Sequence, residues 1–195
     1  MFTIATSEDS ARLLDALGEQ LAHQRTRYEI VVVGGSALLA LGLISRATRD
    51  VDLVALRDGD GLLPAAPLPE PLTTARDRVA RDLGLPEDWL NPGPAALLDF
   101  GLPDGFLSRA TRRDHGEALT AWHASRLDQI HFKLYATVDQ GPGKHEADLR
   151  ALDPSADELL TAARWTRTHD PSEGYRMALG QVLAALGVDD AAVGA

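Results

Sequence analysis

Two carboxylates, Asp50 and Asp52, stand two residues apart in the stretch Arg46-Ala47-Thr48-Arg49-Asp50-Val51-Asp52-Leu53-Val54. On an extended chain that spacing puts both side chains on one face. Their neighbours Val51, Leu53 and Val54 are apolar. Two acids projecting together from an apolar strand repel each other unless a cation lies between them. Magnesium or manganese suits such oxygen ligands and completes its shell with water and phosphates. A second feature lies upstream, where Val31-Val32-Val33 runs into Gly34-Gly35-Ser36-Ala37-Leu38. Paired glycines after a buried strand allow a tight turn in which backbone approaches a ligand closely. A helix opening there would aim its first N–H groups at the same spot, an arrangement that favours anions. Ser36 adds a hydroxyl donor. Gly34, Gly35 and Ser36 thus read as a phosphate seat, and Asp50 and Asp52 as a metal seat. Arg46 could neutralise phosphate, since a guanidinium matches its geometry, and Thr48 could hold the loop through a backbone bond. A metal beside a phosphate seat serves in-line attack on phosphorus.

The elements that must position these residues follow from the apolar pattern. Residues 28–33 form a β-branched run that reads as a buried strand, residues 36–43 a short buried helix, and residues 51–56 a second strand. Ahead of them, Leu13, Leu14, Leu17 and Leu21 mark one face of a helix over residues 8–24, with Ser7 or Asp9 as its cap. Residues 58–71 carry four prolines and read as a loop. A helix is expected over residues 73–83, and strands over 95–100 and 119–124. Leu127, Ile130, His131, Leu134 and Val138 share a face of a helix over residues 127–138, which Gly141-Pro142-Gly143 ends. On that pattern Lys133 faces solvent, and His131 is a core histidine, as Trp122 and Trp165 are core residues. Helices over residues 156–168 and 173–186 are separated by Pro171. The fold class is therefore α/β (α+β), a mixed sheet flanked by helices with a helical C-terminal part. One core spans residues 1–150, and residues 151–195 form a helical segment packed on the same domain.

Composition narrows the chemistry further. The chain has 195 residues, 45% of them hydrophobic and 25% charged, which suits a globular protein. It contains no cysteine, so disulfides and thiolate zinc sites are excluded. The six histidines are scattered, and His115 and His123 are too isolated to mark a base. The net charge of −10 argues against non-specific nucleic-acid binding, which needs a basic surface. Arg109, Arg112 and Arg113 are close together but read as a solvated loop. No run is long enough to span a bilayer and no secretory signal precedes residue 8, so no membrane partner is expected and the cytoplasm is the expected compartment. Gly-x-Gly-x-x-Gly, the Lys-Ser/Thr phosphate loop and Gly-x-Ser-x-Gly are all absent.

The order strand, Gly-Gly-Ser, helix, Asp-x-Asp resembles the signature of the nucleotidyltransferase superfamily related to DNA polymerase β. The form Arg46-x-Thr48-x-Asp50-x-Asp52 is similar to the bacterial branch containing the AbiEii and MenT toxins and small nucleotidyltransferases. The strong match covers residues 31–54. Trp89-Leu90-Asn91 resembles a segment of some of those small proteins, and the helix carrying Lys133 followed by Asp148-Leu149 is similar to the late Lys and Asp of the toxin branch. The resemblance implies transfer of a nucleoside monophosphate from ATP, CTP or another NTP to an acceptor, with Mg2+ or Mn2+ held by Asp50 and Asp52. It implies that Lys133 contacts the triphosphate and that Asp148 serves near the metal or as a base. The superfamily generally uses a third carboxylate on a later strand, for which Asp99, in Leu97-Leu98-Asp99-Phe100, and Asp148 are the candidates; failure of both would mark a non-catalytic, nucleotide-binding relative. The acceptor could be tRNA, a protein or a small molecule, and the toxin branch implies an antitoxin partner.

Overall fold

The computed structural model describes residues 3–188. The chain divides into two compact units, Met1–Ser125 and Arg126–Ala195.

The first unit is built on a mixed six-stranded sheet in which β1 (Tyr28–Val33) is central. β1 pairs antiparallel with β2 (Val51–Asp58) and parallel with β6 (Leu119–His123), which pairs antiparallel with the edge strand β5 (Thr111–His115). On the far side of β2, two short strands share one edge. β3 (Gly61–Pro64) runs antiparallel along residues 55–58, and β4 (Leu90–Asn91) lies parallel beside Val51 and Asp52. One face of this sheet carries α1 (Ser7–His23) and α3 (Glu70–Leu83). There Leu13, Leu14, Leu17 and Leu21 meet Ile30, Val32, Val51, Leu53 and Leu119 in the main hydrophobic core. The expected leucine face of α1 is therefore its buried face. Its cap is Thr6, whose hydroxyl accepts from the Asp9 N–H while the Asp9 carboxylate accepts from the Thr6 N–H. Asp9 is thus the returning partner of a capping box rather than the cap itself.

Two local expectations are corrected, and one strand was not foreseen. Residues 58–71 are not all loop, because Gly61–Pro64 forms β3, whose edge position tolerates proline. Residues 95–100 are not a strand: Gly93–Leu98 is a 3-10 helix opened by prolines, and Asp99 is its exposed C-cap. The strand β5 was hidden by its charged sequence, Thr-Arg-Arg-Asp-His, which suits a sheet edge. Between β3 and β6, a one-turn helix, α4 (Phe106–Arg109), leads into β5.

The second unit is helical: α5 (Arg126–Gln140), α6 (Lys144–Ala151), α7 (Ala156–His169) and α8 (Glu173–Ala185), with α5 packing on the other three. Trp165 of α7 stands edge-on to His131, Phe132 and Tyr135 of α5. His131 is buried and its Nδ1 lies 2.8 Å from the Leu127 carbonyl, as expected for a core histidine. Among the described residues no helix is long and apolar enough to cross a membrane.

Candidate active site

The site forms where β1 ends. Val33 is the last strand residue, and α2 (Gly34–Ala40) starts at once. Gly34 makes the bend with φ +71°, a left-handed conformation that favours glycine. The opposing strand explains why nothing larger fits. Val33 is the register partner of Asp52, and a Cβ on Gly34 would lie 2.1 Å from Asp52 Oδ2 and 3.0 Å from its Cγ. The carboxylate of Asp52 therefore rests against the glycine backbone. A Cβ on Gly35 would in turn lie 2.9 Å from Thr48 Oγ1 and 3.4 Å from a guanidinium nitrogen of Arg46.

Arg46, Thr48, Asp50 and Asp52 are spaced by two, and three of them reach the glycine bend directly. Asp50 joins through Thr48, whose hydroxyl donates to Asp50 Oδ1 at 3.1 Å. The Thr48 backbone is anchored separately. Its N–H donates to the Ile4 carbonyl at 2.9 Å, and its carbonyl accepts from the Ile4 N–H at 2.8 Å. The loop is thus held by the main chain of Thr48, and the Thr48 hydroxyl bonds an acid rather than backbone. Val51 and Leu53 belong to the helix-covered core, so Asp52 between them points to the opposite face. A bulge that skips Val54 opposite Val31 and Val32 resets the register just before this point. Such irregularities re-aim side chains beside functional sites.

Asp52 is held from a third side by a residue to which sequence reading gave no role. Asn91 of β4 is its register partner, and Asn91 Nδ2 donates to Asp52 Oδ1 at 2.8 Å. The tripeptide Trp89-Leu90-Asn91 was visible, but its purpose depended on the pairing of β4 with β2. Ser36 is fully buried, and its Oγ has no hydrogen-bond partner among the described residues. A buried hydroxyl in that state is costly unless a ligand supplies the bond.

The remaining candidates lie on other elements. Asp99 is exposed at the end of the 3-10 helix. Lys133 and Asp148 are brought together within the second unit, where Lys133 Nζ lies 2.8 Å from Asp148 Oδ2 and the residues are 4% and 1% exposed. The expectation that Lys133 faces solvent is corrected by this pairing: α6 covers the side of α5 that carries it. Arg113 is not a solvated loop residue either. It lies on β5 and donates to the Ala40 carbonyl at the end of α2 at 2.6 Å. His115 lies 2.7 Å from Asp15 through Nδ1. His123 is buried on β6 beside Val32, and neither of its ring nitrogens has a hydrogen-bond partner among the described residues. Burial, then Arg113 and His115, push its pKa down from 6.5 to about 4. Trp122 is only half-buried, its Nε1 donating to Glu29 at 2.7 Å with the Arg57 guanidinium 4.1 Å over its ring.

Among the described residues no cluster of three or more His, Cys, Asp or Glu is placed to hold a metal. Magnesium takes as few as one or two carboxylates from a protein and the rest of its octahedron from water and phosphate, so the carboxylate oxygens of Asp50 and Asp52 are donors of the type it accepts. Residues 11–141, about two thirds of the chain, match the model of a family described as a nucleotidyltransferase of unknown function (DUF6036). The chain belongs to this family. The matched span of the DUF6036 nucleotidyltransferases includes the whole glycine bend, the Arg46-to-Asp52 alternation and Asn91. No curated protein and no solved structure matches the chain.

Proposed function

We propose that this family member transfers a nucleoside monophosphate from an NTP to an acceptor, releasing pyrophosphate, with Asp50 and Asp52 as ligands of Mg2+ or Mn2+. The observation that carries the reading is the seating of Asp52 against the Gly34 backbone beside a buried, unpartnered Ser36 hydroxyl. An acid and an unfilled donor one short turn apart suit a metal-bound triphosphate. In this reading the Ser36 hydroxyl and the Gly35 and Ser36 N–H groups donate to the β- and γ-phosphates, and the Arg46 guanidinium offsets their charge. The bound cation would neutralise charge on the reacting phosphates. Thr48 and Asn91 fix the two carboxylates, so that little reorganisation is needed when substrate arrives.

The acceptor is a hydroxyl or phosphate of tRNA, a protein or a small molecule. The net charge of −10 favours a partner other than a long polyanion. The toxin-type branch, with a tRNA acceptor and an antitoxin partner, is a finer version of the same chemistry, and the proposed setting is the cytoplasm. Lys133, Asp148 and Asp99 stay candidates for contact with the triphosphate or for the third acidic role, as the resemblance implies. The test is incubation with each labelled NTP, magnesium, and separate pools of tRNA, protein and small-molecule acceptors. Label should enter one pool with the wild-type chain, and Asp50→Ala and Asp52→Ala should lower the rate by at least about 100-fold. Equal labelling by both variants would end the assignment.

A further inference from the structure

The superfamily resemblance directs attention to acids, yet the residue in register with Asp52 on the neighbouring strand is a neutral carboxamide. Its orientation is determined. The Gly93 N–H donates to Asn91 Oδ1 at 2.9 Å, so Nδ2 must face the carboxylate, where it lies 2.8 Å from Asp52 Oδ1. Turned over, the amide would set oxygen against oxygen and NH2 against N–H. The support continues behind it. Trp89 is fully buried, its Nε1 donates to the Arg76 carbonyl of α3 at 3.1 Å, and its carbonyl accepts from Val51 N–H at 2.6 Å. A line of contacts thus runs from α3 through Trp89 and β4 to one oxygen of Asp52, while the other oxygen abuts Gly34.

We propose that Asn91 is a positioning residue that fixes the Asp52 carboxylate for the divalent cation without cancelling its charge. An ammonium or guanidinium in the same place would hold the acid equally well but would compete with the metal for it. A carboxamide orients the acid and adds no charge of its own. This is how the Trp89-Leu90-Asn91 segment acts on the site: two buried residues set a short strand, and the third presents a donor. The inference rests on the nucleotidyl-transfer reading of Asp50 and Asp52.

The test measures Mn2+ binding directly, by electron paramagnetic resonance, on the full chain. Asn91→Ala removes the donor, and Asn91→Leu removes it while keeping a branched side chain of similar size. Both variants should bind Mn2+ about 10–100-fold more weakly than wild type. Asn91→Leu should unfold within a few degrees of wild type, and its lost activity should return with excess magnesium, which a collapsed or distorted site would not allow. Unchanged Mn2+ affinity in Asn91→Leu, or an activity loss that excess magnesium does not repair, would overturn the role of Asn91. Asp52→Ala is the separate control. If it binds Mn2+ as wild type does, the reading of the whole site fails; if it alone loses Mn2+, only the assignment of Asn91 fails.

Discussion

Two places in this chain hold aspartates, and they treat them in opposite ways. At the glycine bend Asp50 takes a hydrogen bond from the Thr48 hydroxyl and Asp52 one from the Asn91 carboxamide, and both acids are half-buried. In the helical unit Asp148 is buried against the Lys133 ammonium at 2.8 Å. A neutral donor orients an acid and leaves its charge standing, whereas an ammonium orients it and cancels it. The two donors at the bend bring no charge to their acids, whereas the partner of Asp148 is itself a cation. Burial explains why the second needs it, since an unpaired carboxylate out of water is strongly disfavoured.

The comparison makes removal of the buried cation the largest effect. Lys133→Ala should destabilise the chain by about 3–5 kcal/mol in urea unfolding, and the double change Lys133→Met, Asp148→Leu should recover most of that loss. A small loss in the single variant would break the contrast, because it would mean that Asp148 does not depend on the Lys133 ammonium.

A second measurement asks whether the sheet unit also refuses a buried charge away from its acids. The folded pKa of His123 is about 4 against an ordinary 6.5, so between those values the unfolded chain binds the extra proton. The associated stability is present above pH 6.5 and is lost as pH falls through about 4, amounting to about 3 kcal/mol. His123→Leu should flatten that stretch of the stability-against-pH curve, and an unaltered slope would assign the acid lability to other groups.

Gly34→Ala comes next. The left-handed φ and the 2.1 Å approach to Asp52 Oδ2 both oppose a methyl group. A loss of about 1–3 kcal/mol is expected by calorimetry, and a stability gain would show that the bend relaxes freely. The smallest effect on folding is expected at the acids themselves. Asp50→Asn should change stability by less than about 1 kcal/mol while removing nucleotidyl transfer. A large destabilisation there would mean that the fold depends on Asp50 as it does on the Lys133–Asp148 pair, and would collapse the comparison.

Local signals made the glycine bend legible in the sequence. The run Tyr28–Val33, the paired glycines and the alternation Arg46, Thr48, Asp50, Asp52 are each contiguous, and each states its geometry through a period of two or through a missing Cβ. What escaped depended on distant pairing. The role of Asn91 required β4 to lie beside β2, 39 residues away from Asp52. The burial of Lys133 required α6 to cover α5, which no helical periodicity within α5 could show. The strand expected over residues 95–100 failed because Leu97-Leu98-Asp99-Phe100 has strand-like apolarity, whereas the prolines ahead of it start a 3-10 turn. β5 escaped because an edge strand carries charges where a central one carries valines.

The two hydrogen bonds between Ile4 and Thr48 carry a consequence of their own. They clip an early residue of the chain to the segment that bears the acids, so the entry to β2 is shaped by a piece of polypeptide more than forty positions upstream. Trimming the chain past Ile4 would unclip Thr48, and the looseness would pass to Asp50 through a single hydroxyl. The amide protons of Ile4 and Thr48 are accordingly built-in reporters: their exchange with deuterium times how often that clasp opens.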